Sequence, residues 1–259
     1  NADKPGWSPS ESTIGETFKR LFPGWRGRRL IVSCFASHLH RVQQICDVAI
    51  NEGRTVFPLG RSMVNNVRIA KELGILDLPD RSVDSIERLN DYAPEDVCVI
   101  CTGSQGETNA ALSLLARGDH PDFSLTRSDV VLLSSHPIPG NELPVYRVIN
   151  RLTRIGCEVV HDGYEHVHTT GHAQREELDH LYQTLLPEWY VPIEGEHRML
   201  RRNADVAIEA GHVPGRTVVA SDGDQLVLDS EGLKISGRIP APYRYIDGLL
   251  DDLSPELLE

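Results

Sequence analysis

Short apolar runs alternate along this chain with stretches whose apolar positions recur every three or four residues. The runs Leu30–Cys34, Thr55–Leu59, Val97–Cys101, Val130–Leu133 and Glu158–Val160 are brief and rich in β-branched residues, and they read as strands. Between the first two, Leu39, Val42, Ile45, Cys46, Ala49 and Ile50 form a single helical stripe that Gly53 closes. Gly60–Ser62 leads into a helix ending near Gly74, Asn109–Arg117 reads as another, and Pro139–Glu142 leads into one ending at Gly156. Repeated strand, turn and helix predict an α/β fold: a parallel sheet covered by helices on both faces. Ligands of such sheets meet the loops at the carboxyl ends of the strands. Those loops here carry Ser37, Gly60–Ser62, Thr102–Gly106, Ser134 and Ser135.

After His172 the pattern changes pace. Arg175–Leu186 and Arg198–Ala210 read as helices and Trp189–Ile193 as a strand. Thr217–Ala220 and Gln225–Leu228 read as a hairpin around Asp222-Gly223-Asp224. A second structural unit is therefore expected from about residue 173 onward. Asp251–Glu259 reads as an acidic linker or tail.

Composition narrows the class. The 259 residues are 40% hydrophobic and 25% charged, as in an ordinary globular protein. No apolar run approaches the roughly 20 residues that cross a bilayer, no basic-plus-apolar leader opens the sequence, and no membrane partner is expected. Five cysteines without framework spacing point to a reducing, cytoplasmic setting. Cys98 and Cys101 have CxxC spacing, but on a strand they point to opposite faces and cannot chelate together. The formal net charge of −12 disfavours nucleic-acid binding through a whole-surface field. A local basic groove stays open, with Arg26, Arg28 and Arg29 or Arg198, Arg201 and Arg202 as candidates, against the plainer reading of solvated charge.

The chemistry concentrates in His168-Thr169-Thr170-Gly171-His172-Ala173. In extended chain His168, Thr170 and His172 share a face and can converge on one phosphate. His161, His166, His168 and His172 together suggest a metal site, an exposed polar loop, or imidazoles that contact phosphate and donate protons; the last fits best. Neither HxHxDH nor HExxH occurs, so no complete metal set is visible. Thr102-Gly103-Ser104-Gln105-Gly106-Glu107 lies between a strand and a helix. It is either a phosphate cradle of backbone N–H groups or a plain tight turn. Ser37 is placed to cap the following helix. Phe35 is a candidate for base stacking, with core packing as the alternative.

Taken in order, SCFASH (33–38), GRSM (60–63), CTGSQGE (101–107), SSHPIPGNE (134–142), VHTTGHA (167–173) and PIEGEHR (192–198) resemble the β-CASP branch of the metallo-β-lactamase superfamily, and within it the ribonuclease J family. The resemblance implies a parallel-sheet β-CASP domain over residues 27–168, inserted into a metallo-β-lactamase αββα domain. Residues 1–26 and 169–247 would belong to the latter, and 248–259 would be a linker. It implies a two-zinc centre that hydrolyses RNA phosphodiesters, 5′-to-3′ exonucleolytically with some endonucleolytic cleavage, favouring 5′-monophosphorylated RNA. The nucleophile would be a metal-bound hydroxide. His168, Thr170, Gly171 and His172 would hold the scissile phosphate, with Thr170 where the family usually has serine, and His172 would stabilise or protonate the leaving oxygen. Gly103, Ser104, Gln105 and Gly106 would lie near the 5′-phosphate, with Ser37 a further phosphate contact and Phe35 a base-stacking one.

Two departures follow. The family's HxHxDH and Asp-Ser-Thr segments would precede a stretch like Asn1-Ala2-Asp3, so the chain is expected to be a fragment without most metal ligands and inactive alone. The family's PxHGE becomes Pro192-Ile193-Glu194-Gly195-Glu196, which puts Glu194 at the position of a histidine zinc ligand. A carboxylate there can bind zinc or suit manganese or magnesium; otherwise the site is degenerate. The main alternative is a non-catalytic RNA-binding or scaffold paralogue. An unrelated nucleotide-binding protein is a weaker one, since neither glycine fingerprint is present. Homo-oligomers are the family's habit and are expected of the full-length protein.

Overall fold

The computed structural model describes residues 2–242, so the Asp251–Glu259 tail and the 248–259 linker lie outside the described residues. The chain forms two compact units, one of residues 9–170 and one that joins the first eight residues to those from Gly171 onward.

The larger unit is built on five strands: β1 (Leu30–Ser33), β2 (Thr55–Leu59), β3 (Val97–Cys101), β4 (Val130–Leu133) and β5 (Glu158–His161). They lie in the order β2-β3-β1-β4-β5, and every pairing is parallel. The central strands are buried along their whole length because both faces are covered. Leu30, Val32, Cys98 and Ile100 pack with residues of α1 (Ser12–Leu21), α2 (Leu39–Asn51) and α3 (Arg61–Glu72). Ile31, Val99, Cys101 and Val131 pack on the opposite face with α4 (Ala111–Arg117) and α5 (Glu142–Ile155). Cys98 and Cys101 thus enter different cores, as strand alternation requires. All five cysteines are free and buried. Burial pushes their thiols up, to about 12 for Cys34 and Cys98 and about 11 for Cys157.

β1 ends one residue earlier and β5 one residue later than expected, and two helix starts in this unit also differ. α4 begins at Ala111 rather than Asn109, because residues 107–110 turn first and the Ala110 N–H bonds to the Glu107 carbonyl. The cap of α2 is His38, not Ser37. Its Nδ1 accepts the Arg41 N–H at 3.1 Å, while Ser37 is exposed. Helix α1, which the sequence reading passed over, buries Ile14, Phe18 and Thr17.

The smaller unit holds α6 (Arg175–Leu185), α7 (His197–Glu209) and the antiparallel pair β6 (Asp224–Asp229) and β7 (Gly232–Arg238). Trp189–Ile193 is not a strand; Tyr190 makes only an isolated bridge to Thr217. The expected hairpin is shifted. Asp222-Gly223 is a turn that leads into β6 at Asp224, closed by the Ser221 N–H on the Asp224 carboxylate at 2.8 Å. The chain reverses instead at Ser230-Glu231, where the Glu231 N–H bonds to Asp229 Oδ1 at 2.8 Å. Among the described residues no helix is long and apolar enough to cross a membrane.

Candidate functional site

The carboxyl ends of β1, β4 and β5 gather the polar groups of the larger unit. Arg41, in the first turn of α2, is only 2% exposed. Its Nε and Nη2 engage the Glu11 carboxylate, and its Nη1 donates to the Ser134 carbonyl (3.1 Å), the Ser134 hydroxyl (2.6 Å) and the Val167 carbonyl (3.0 Å). Ser134 Oγ donates to the same Val167 carbonyl at 2.7 Å. A buried cation thereby ties the end of β4 to the segment that carries His168, and the Ser134 and Val167 oxygens it reaches are buried acceptors that need a donor.

His168 follows Val167 directly. Its Nδ1 is buried with no hydrogen-bond partner. Leaving a buried N–H unpaired costs more than leaving a buried lone pair that faces no donor, so the neutral ring carries its proton on Nε2. Burial first, then the Arg41 guanidinium, pushes the His168 pKa down to about 4, with His136 acting in the same direction and Asp162 and Glu11 against it. At neutral pH His168 is therefore an uncharged N–H donor. His136 sits beside it, with Nδ1 3.1 Å from Asp162 Oδ2. Thr170 ends the larger unit, and Gly171 and His172 begin the smaller one, where the Ser8 hydroxyl donates to the His172 carbonyl at 3.0 Å.

The other two clustered histidines have local partners. His161 Nδ1 accepts the Gly163 N–H at 3.1 Å, and His166 Nε2 lies 3.2 Å from the Thr13 hydroxyl.

The Thr102–Glu107 turn is tightly built. Gly103 and Gly106 adopt positive φ (107° and 76°), and a Cβ on Gly106 would lie 2.5 Å from the Pro144 carbonyl carbon. Ser104 and Gln105 are buried. The Gln105 amide is used at both ends, donating to the His136 carbonyl (2.9 Å) and accepting the Ile138 N–H (2.8 Å). The Gln105 N–H already bonds to the Glu107 carboxylate at 3.2 Å, and the Gly106 N–H to the Gly103 carbonyl at 3.2 Å. The turn thus braces the His136 loop, and an anion there has to displace the carboxylate of Glu107.

Phe35 is half-buried and belongs to neither core. Ser37 lines a surface groove of about 350 Å³ with His38, Leu39, His40, Gln43 and Ile75. Glu194 is exposed, and its backbone is left-handed at φ 65°, unusual for a residue with a side chain. Among the described residues no three His, Cys, Asp or Glu side chains stand close enough to hold a metal.

Both basic clusters of the sequence are neutralised: Arg26 by Glu52, Arg28 by Glu158, Arg29 by Asp129, Arg198 by Glu196, Arg201 by Asp205, and Arg202 by Glu209. Sequence reading missed Arg41, Glu11, Asp162 and His136 as parts of the site. Only His136 stood inside a quoted motif; an arginine on the buried side of an amphipathic helix was the available signal for Arg41.

Comparison with known proteins gives the family. Residues 27–152 match the family described as ribonuclease J, β-CASP domain. The chain is 43% identical over 250 residues to ribonuclease J of Mycobacterium tuberculosis, covering 96% of this chain and 45% of that protein. It is 44% identical over 250 residues to ribonuclease J of Mycolicibacterium smegmatis, with the same coverage. It is 34% identical over 248 residues to ribonuclease J 1 of Streptococcus pyogenes, covering 96% of this chain and 44% of that protein. The chain thus spans a little under half the length of these relatives. Residues 27–152 are a ribonuclease J β-CASP domain, and the similarity to ribonucleases J continues on both sides of it.

Proposed function

We propose that these residues serve a metal-dependent ribonuclease that hydrolyses RNA phosphodiesters, 5′-to-3′ from 5′-monophosphorylated ends and endonucleolytically within strands. The carrying observation is His168. It is held uncharged at the carboxyl edge of a parallel sheet, first by burial and then by the guanidinium of buried Arg41, in a chain similar to ribonucleases J over 96% of its length. In this reading His168 Nε2–H, the Thr170 hydroxyl and His172 contact the scissile phosphate, and His172 stabilises or protonates the leaving oxygen. A neutral donor suits the first role, since it grips a phosphate oxygen without giving up a proton.

The metal supplies an activated water when bound. The described residues do not assemble its site: Glu194 offers one carboxylate, and no three ligating side chains cluster. That disagreement favours a second reading, in which the chain binds RNA without cutting it.

The test incubates the complete gene product with 5′-monophosphorylated, 3′-labelled RNA and zinc or manganese, beside its Glu194→His variant. Progressive loss from the 5′ end supports the nuclease. Cleavage by the histidine variant alone marks a decayed metal site, and no cleavage by either leaves RNA binding as the function.

A further inference from the structure

Arginines in this acidic chain are mostly ion-paired or buried. Arg54, for example, is buried and donates to the carbonyls of Trp25, Arg28 and Val97. The clusters that look basic in the sequence are neutralised. What is left unneutralised is unevenly placed. Arg61 and Arg81 are isolated, while Arg147, Arg151 and Arg154 are exposed on α5 with no carboxylate partner among the described residues. Arg127, also exposed and unpaired, meets the same helix at its end, since a Cβ on the capping Gly156 would lie 3.0 Å from Arg127 Cβ.

The spacing puts these groups on one face. Val145, Val148 and Leu152 are buried in the sheet-facing core, and the outer side carries Leu143, Tyr146, Arg147, Arg151 and Arg154. After Glu142 the helix contains no acidic residue. Tyr146 is 51% exposed and Leu143 70% exposed. The stripe is ~17 Å long at the helical rise per residue. It starts beside the Thr102–Glu107 turn, because Gly106 packs against Pro144 in the first turn of α5.

We propose that the outer face of α5 is a single-stranded RNA-binding surface, with Arg127, Arg147, Arg151 and Arg154 on the phosphates and Tyr146 stacking on a base. Guanidinium groups match phosphate geometry and stack on bases, and an exposed tyrosine among them suits a strand with splayed bases. The net charge of −12 disfavours binding through a whole-surface field, so this stripe stands out as a local cationic exception. The surface extends the ribonuclease reading, but its test needs neither metal nor cleavage.

Fluorescence anisotropy with a 3′-labelled single-stranded 15-mer RNA, in EDTA, decides it. The Arg147→Gln/Arg151→Gln/Arg154→Gln variant is expected to bind at least ten-fold more weakly. Its slope of log affinity on log salt should be smaller by about 2, at about 0.7 for each phosphate no longer neutralised. Tyr146→Ala should lose about five-fold or more, and Arg198→Gln/Arg201→Gln less than two-fold. All these positions are exposed, and circular dichroism verifies folding. Unchanged affinity and slope in the triple variant would overturn the proposal. So would equal competition by polyglutamate, which would make the face a protein-docking surface, or equal binding of duplex RNA. Catalysis is read separately. A chain that loses RNA binding in the triple variant while the complete product never cleaves refutes the nuclease alone; cleavage with unchanged binding refutes the α5 surface alone.

Discussion

Replacing Arg41 with methionine should destabilise the larger unit by about 3–5 kcal/mol. Removing one partner of a buried ion pair costs in that range, because the other charge is left without compensation. Glu11 keeps 25% side-chain exposure and can partly rehydrate, which places the ion-pair term near the lower end, about 3 kcal/mol. The Ser134 and Val167 carbonyls also lose a charged donor, although Ser134 Oγ still serves Val167, and this adds about 1–2 kcal/mol. The assay is urea unfolding followed by the fluorescence of buried Trp25, with Trp7 and Trp189 replaced by phenylalanine so that only this unit is read. The midpoint should fall by about 1–2 M, for a slope of roughly 2–3 kcal/mol/M. Glu11→Leu/Arg41→Met should recover half the loss or more, since removing both charges leaves neither unpaired. Losing Arg41 also removes the second cause of the low His168 pKa, so that imidazole should titrate closer to its ordinary value by 15N-detected NMR. A loss below about 1 kcal/mol, or a double variant no better than the single one, would refute the network as an organising element.

Other perturbations test neighbouring parts of the argument. His168 titrates near 4 when folded, below its ordinary 6.5, so the unfolded chain takes up its proton first. Its contribution is complete above about pH 6.5 and lost as pH falls towards 4, and His168→Asn should flatten the stability–pH curve in that window. Gly106→Ala, which adds a Cβ at φ 76° and 2.5 Å from the Pro144 backbone, should cost more than about 2 kcal/mol, measured by the same unfolding assay. Glu194→Gly relieves a left-handed residue and should stabilise the smaller unit by up to about 1 kcal/mol; a lowered thermal midpoint would contradict the strain.

The sheet was legible because its strands are short, apolar and separated by helices with clean stripes. β2, β3 and β4 fall on the residues that the pattern predicts. Where the pattern failed, polar side chains decided the outcome. At α2 a histidine ring outcompetes the neighbouring serine for the helix cap. In the smaller unit the Asp224 carboxylate closes one turn and Asp229 the next, and moving the reversal by seven residues shifts the whole hairpin. Trp189–Ile193 has the composition of a strand but finds only Thr217 beside it, and a strand without a neighbour leaves its backbone groups to water.

The site was legible in its residue types and illegible in its charge states. His168 stands in a sequence crowded with histidines, and nothing local distinguishes it from His166, whose ring meets a threonine hydroxyl at the surface. The distinction comes from Arg41, 127 positions earlier in the chain by number, whose guanidinium reaches the carbonyl just before His168. The same long-range pairing inverts the reading of positive charge. Adjacent arginines such as Arg28 and Arg29 catch the eye in sequence, yet folding brings Glu158 and Asp129 to them and cancels their field. Arginines spread at helical spacing along α5 look unremarkable in sequence, and they keep their charge because the helix that carries them offers no acid beyond its first turn. Electrostatic recognition of a polyanion depends on what stays unneutralised after folding, so the sparse stripe outweighs the dense clusters.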